Sequence, residues 1–220
     1  MAKADPIADV PDWAETTEQQ VLDAALKRVA DEGWTARLAT RAGAACGLSA
    51  GETELLLPHG PADLAALLSR RHDARAMAAL AKLDPKSLKI RERIARGVEA
   101  RLNAATEDEA AVRRLTGFLV LPPNAALGAR LAWESADVLW RWAGDTATDE
   151  NHYTKRALLA GILTGALAIR LASGREAALA FTDRRIANVM AFEKWKATTR
   201  LKPSKFLDGA AAALGKMRYS

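Results

Sequence analysis

A single cysteine, Cys46, in a chain of 220 residues rules out an internal disulfide and suits a reducing compartment. Val, Ile and Thr never alternate with polar residues over a strand's length, which argues against a sheet. The N-terminus, MAKADPIADVPDW, has no apolar signal core and no arginine-rich amphipathic pattern, so a cytosolic chain with no cleaved targeting segment is expected. Phosphate-loop, Gly-x-Ser-x-Gly, Cys/His metal and Glu-x-x-His spacings are all missing. Of three histidines, His59 lies between prolines, His72 follows two arginines and His152 opens an apolar segment; each reads as a capping or surface residue rather than a base. Neither enzyme chemistry nor a cofactor or metal is therefore expected.

What is present is helix. Ala, Leu, Glu, Arg and Lys recur at helical spacing nearly throughout, and half of the residues are hydrophobic, enough to bury a sizeable core. The chain is expected to be all-α. Its formal charge of +5 comes from 32 basic against 27 acidic residues, a mixed surface with a modest excess that reads as solubility charge spread over helix faces.

Taken in order, residues 1–16 form an arm held extended by Pro6 and Pro11, and Thr16 or Thr17 with Gln19 or Gln20 makes a capping box for a helix ending at Gly33. Two short helices then meet at Gly47, the second opening at Ser49, and a third follows Pro58 to Pro61 as far as Leu83. Residues 17–83 have the layout of a helix-turn-helix and resemble the N-terminal unit of TetR-type regulators. A recognition helix needs cationic or amide side chains for base edges, yet Ala50 to Leu57 carries Glu52, Glu54 and no positive residue. The expected outcome is a helix-turn-helix that no longer binds nucleic acid.

Residues 84–200 read as a bundle. Lys89 to Leu102 turns Ile90, Ile94, Val98 and Leu102 inward; Thr106 and Glu109 cap the next helix, which stops at Leu121-Pro122-Pro123; Asn124 caps the helix that reaches Gly144. Gly144 closes that helix and Thr148 caps its successor, in which Ala157 to Ile169 carries no charge. Thirteen residues span about 20 Å, short of a bilayer, so this is expected to be a core helix buried on nearly every side. After the stop at Ser173-Gly174, the last long helix shows two apolar stripes, one with Ile186 and Met190 and one with Phe181 and Phe192, which suggests a homodimer interface. In 201–220, Phe206, Leu207, Leu214 and Met217 share a helical face flanked by lysines and arginine, the layout of a membrane-contacting amphipathic segment.

An oily interior is expected between the helices flanking Gly144, from Trp133, Ala136 and Trp140 on one and Leu159, Leu163 and Leu167 on the other. Gly161, Thr164, Gly165 and Ala168 are small residues at turn spacing, which either let a neighbouring helix approach or leave volume for a ligand tail. The polar run Asp149 to Arg156 would then hold a head group at the mouth. Asp137, among the tryptophans, is expected to pair with Arg156 or Arg141.

With these residues in view, the chain resembles the ubiquinone biosynthesis accessory lipid-binding family, the ninth Coq protein of eukaryotes and its bacterial relatives. The resemblance is carried by LLLPHGPADL (55–64), KIRERI (89–94), LVLPPNA (119–125), ADVLWRWAGDTATDENHYTKRALLAGI (136–162) and DRRIANVMAFEK (183–194). It implies a TetR-like fold without DNA binding, a dimer, and a hydrophobic pocket for isoprenoid quinone intermediates or another lipid. It also implies peripheral membrane contact and a non-catalytic role presenting the intermediate to a demethoxyubiquinone hydroxylase. The partner-facing patch of the family falls on Asp137, His152, Tyr153 and Arg156, with Leu102 beside them. The sequence departs from the family pattern at Glu150, where an aromatic is usual, and at His152, where tryptophan is usual. The setting expected is the bacterial cytoplasm, peripheral to the inner membrane.

Overall fold

The computed structural model describes residues 13–145 and 150–199. Among these, every regular element is helical: α1 (Trp13–Leu26), α2 (Val29–Glu32), α3 (Ala36–Ala45), α4 (Ala50–Leu56), α5 (Pro61–Leu80), α6 (Ile90–Glu107), α7 (Glu109–Leu119), α8 (Ala125–Trp142) and α9 (Glu150–Thr199), with short 3-10 turns at Pro85–Ser87 and Pro122–Asn124. The all-α expectation holds.

Local chemistry accounts for the boundaries. The Ser49 hydroxyl accepts from the Glu52 amide while the Glu52 carboxylate accepts from the Ser49 amide, a reciprocal cap that starts α4 two residues after the turn at Gly47. Thr35 caps α3 by accepting from the Leu38 amide at 3.2 Å. Three expected caps are corrected. Thr17 lies inside α1 and donates back to the Trp13 carbonyl at 2.7 Å, so the helix begins earlier than a box at Thr16 or Thr17 would place it. Thr106 lies inside α6, donating to Leu102 and Asn103 carbonyls, and the break between α6 and α7 falls at Asp108. Asn124 precedes α8 without capping it; its side-chain amide donates to the Phe118 carbonyl at 3.0 Å.

Two apolar cores result. One gathers Val21, Leu22, Leu38, Leu64 and Leu68 from α1 to α5 around Trp34, and draws in Ala111 and Leu115 of α7. The other gathers Ile94, Val98, Leu139, Leu159, Leu163 and Ile186 from α6, α8 and α9. α5 runs through both, since Leu64 belongs to the first and Leu80 to the second. Trp34 fastens the first core to α7 by donating its indole N–H to the Ala111 carbonyl at 3.2 Å. Ile90, expected to face inward on α6, is substantially exposed.

α9 departs most from the sequence reading. It is bent at Gly174, whose φ of 85° and ψ of −176° only glycine adopts readily. Before the bend, Leu159, Ile162, Leu163 and Ala166 are buried, but Ala157, Leu158, Gly161, Thr164 and Ala168 are exposed, so the uncharged segment is buried on one side and open on the other. By length and composition His152–Ala191 is apolar enough to cross a bilayer. Its inner face packs into the second core and the bend at Gly174 turns it back on itself, leaving one flank uncovered. Gly165 brings the two limbs together: a Cβ there would lie 2.8 Å from Cζ of Phe181. Expectations for Thr148, Asp149 and the segment with Phe206, Leu207, Leu214 and Met217 fall outside the described residues.

Candidate functional site: an apolar cavity with a polar inner end

Helices α5 to α9 enclose a cavity of about 570 Å³. Leu102, Ala105, Val112, Leu115, Leu131 and Leu167 are among the apolar residues of its wall. The volume lies within the range of natural small-molecule sites, and the lining has their usual character, mostly apolar with a few placed polar groups.

Of the polar groups, Thr116 of α7 and Thr164 of α9 spend their hydroxyls on the Arg113 and Ala160 carbonyls of their own helices, while Ser69, His72, Arg101 and Ser135 collect on α5, α6 and α8. Asp73 joins them, accepting from Nε of Arg101 at 2.5 Å and from the Ser135 hydroxyl at 3.0 Å, while Nη2 of Arg101 donates to the Ser69 hydroxyl at 3.2 Å. Beside them His72, only 2% exposed, places Nε2 3.0 Å from Oδ2 of Asp108, which also accepts from Arg75 at 2.7 Å. Burial and the nearby charge of Arg101 lower the His72 pKa to about 4, so the ring is neutral at pH 7 and the contact with Asp108 is a hydrogen bond, not an ion pair. Burial alone would raise Asp108, but the bonds it accepts from His72 and Arg75 outweigh that and hold it below the usual carboxylate range. His72 is thus corrected from a surface histidine to a buried one. The sequence signal was its position, since Leu64, Leu68 and Ala76 share its buried face of α5.

The opposite end of the cavity is apolar and open. Val120, 75% exposed, stands there with the exposed residues Ala125 and Ala129 of α8 and Thr164 and Ala168 of α9.

The residues expected to bind lipid divide between sites. Leu163 and Leu167 line this cavity, as does Leu102, which the family resemblance sets beside the partner-facing patch. Trp140 and Leu159 line a second hollow of about 410 Å³ bounded by α6 and both limbs of α9. Ala136 is fully buried in the second core, and Trp133 stacks on Tyr153 at 6.1 Å between ring centroids. The expected polar mouth is also corrected. Thr154, Lys155 and Asp145 border the smaller hollow, whereas the larger one opens several turns further along α9.

Asp137, His152, Tyr153 and Arg156 do come together. Asp137 pairs with both Arg156 and Arg141, at 2.5 and 2.8 Å. Arg156 also reaches Asp145 at 3.1 Å and the His152 carbonyl at 3.2 Å, and Lys155 holds Asp145 from the other side at 2.7 Å. Burial pushes both carboxyls up, yet the cationic partners win and hold Asp137 and Asp145 below their ordinary range. Arg156 is 2% exposed, so it organises the patch from below and offers no surface to a partner. Tyr153 projects, 65% exposed, packed edge-on against His152 at 5.1 Å.

This arrangement occupies a stretch that matches a known family over residues 125–193. That family is COQ9. Relatives agree with it: the mitochondrial ubiquinone biosynthesis protein COQ9 of Bos taurus is 31% identical over 156 residues, covering 67% of this chain and 48% of that protein. The Rattus norvegicus COQ9 is 29% identical over 154 residues, covering 67% and 49%. COQ9-B of Xenopus laevis is 29% identical over 190 residues, covering 80% and 63%. The chain spans about half the length of the first two. The COQ9 resemblance read from the sequence is therefore upheld. The bacterial cytoplasmic setting is corrected, because the COQ9 proteins matched are mitochondrial proteins of eukaryotes.

Proposed function

We propose that this chain is a non-catalytic lipid carrier of ubiquinone biosynthesis, which takes an isoprenoid quinone intermediate into the cavity between α5 and α9 and presents it to a hydroxylase. The observation that carries this reading is the 570 Å³ apolar chamber with polar groups at one end, in a chain similar to COQ9. Extraction of the purified protein with organic solvent, followed by mass spectrometry, should yield a prenylated quinone or similar lipid. Repeated empty extractions would sink the proposal.

In this reading the partner docks over Tyr153 and His152, with Asp137 at the edge of the patch and Arg156 supporting it from beneath. Aromatic side chains packed against one another are pre-ordered anchors, which favours Tyr153 as the centre of the contact. A second copy covers the open flank of α9 around Leu158 and Gly161, which lie exposed before the chamber mouth. Membrane contact rests on Phe206, Leu207, Leu214 and Met217.

A regulator of the TetR type is the second reading, favoured by the junction of α3 and α4 at Gly47. Its cost is electrostatic: Glu52 and Glu54 are both exposed on α4 and would meet phosphates. A gel shift on the promoter region of the chain's own gene, steeply dependent on salt, would support it; no shift at low salt would remove it.

A further inference from the structure

A 570 Å³ chamber holds a drug-sized molecule but not a long polyprenyl chain, so most of a long tail has to leave through whichever end is open. The open end is the apolar one, at Val120. About 15 Å of helix separates Ala125, at that mouth, from Ser135, at the closed end. At the closed end Ser69, His72 and Ser135 are buried and Arg101 is half-buried, each held by a neighbour within the protein; a tail lying against them would desolvate these groups, whereas a head group would face them with polar atoms.

Resting on the lipid-binding reading, we propose that the ligand enters head first, and that His72 and Arg101 at the closed end recognise an uncharged head bearing both a hydroxyl and a carbonyl or second hydroxyl oxygen. A neutral imidazole that donates from Nε2 to Asp108 presents Nδ1 as an acceptor, which asks for an O–H on the ligand. Arg101 engages Asp73 through Nε and Ser69 through Nη2, and its planar fork carries further N–H groups that ask for an oxygen acceptor. Because Arg101 is already neutralised by Asp73, and Asp108 stands behind His72, an anionic head would add a second negative charge to a paired site. The order head inside, tail outside reverses the arrangement in which the polar run before Arg156 holds the head.

The test uses two probes on the full chain: a hydroquinone carrying two isoprene units, and the same two-unit hydrocarbon with a methyl group in place of the ring. Each competes with a fluorescent fatty-chain reporter. The hydroquinone should bind at least about tenfold more tightly than expected from its ring area alone, the size of effect given by one or two buried hydrogen bonds. His72→Phe should remove most of that preference while Leu55→Ser, on the exposed face of α4 and away from the chamber, keeps it. The His72→Phe chain retains Arg75 on Asp108, which protects the fold. Should the variant nevertheless fail to fold, ¹⁵N resonances of the His72 ring in the native chain give the same answer: they should move with the hydroquinone and stay with the hydrocarbon. Equal binding of both probes together with unmoved ring resonances would overturn the head-first orientation and leave the lipid-binding reading standing. Displacement of the reporter by neither probe would overturn both.

Discussion

Arg156 and Asp137 meet 2.5 Å apart across α9 and α8, and the same guanidinium reaches Asp145 beyond the end of α8. One buried cation thus ties the start of the apolar helix to the end of the preceding one. Arg156→Met removes the charge and leaves two carboxylates facing each other near the core, with only the more exposed Arg141 and Lys155 to hold them. The expected loss is about 3 kcal/mol of stability, read from urea unfolding, and Arg156→Lys should recover only part of it because a point ammonium cannot span both carboxylates.

The buried histidine makes stability depend on pH in a defined window. Its folded pKa, about 4, lies below the ordinary 6.5, so the unfolded chain takes up the proton first as pH falls. The stabilisation is fully present above pH 6.5 and is lost between 6.5 and 4, by about 3 kcal/mol at most. Asp108, Asp137 and Asp145 are held below the usual carboxylate range and contribute at lower pH, which separates them from the histidine. Urea midpoints measured at pH 7.5, 6 and 4.5 should fall in the native chain and fall much less in His72→Phe.

Filling the cavity should separate binding from folding. Ala132 is a half-buried residue of the wall, and Ala132→Phe directs a ring into free volume rather than into packed core. The variant is expected to keep its helical circular dichroism and its melting temperature within a few degrees, while the lipid recovered by extraction drops at least about tenfold. Unchanged recovery would place the lipid elsewhere.

At Gly174 the prediction concerns the bend. Any side chain must leave the backbone conformation seen there, at a cost of about 1–3 kcal/mol. Gly174→Ala should lower stability by that amount and disturb the contacts that dock the second limb, including the ion pair of Arg175 with Glu99 and the buried Thr182 and Ile186. Thermal melting reads the first effect, and hydrogen exchange along 175–191 the second.

The helical class and most helix ends were legible because they are written in local chemistry: Ser49 with Glu52, Asp84-Pro85, Pro122-Pro123 and Gly144 each act within a few residues of themselves. The pairing of Asp137 with Arg156 or Arg141 was legible too, from one charge at the start of the following helix and one four residues on in the same helix, and both pairs are present. The chamber was only half legible. Leu163 and Leu167 announce an apolar wall, but Asp73, Arg101 and Ser135 lie on three different helices and converge only through packing. A charge on one helix face looks solvated until the neighbouring helix is in place. The same limit explains α9, whose even lack of charge reads as burial all round while one flank is uncovered.

α7 is the thin partition of this molecule. Leu115 belongs to the N-terminal core and to the chamber wall at once, and Trp34 grips the backbone of the same helix at Ala111. The three short helices that look like a retired DNA reader are therefore the buttress behind that partition. Shortening the chain to residues 125–193, the stretch matched to the COQ9 family, would take away the masonry on one side of the room.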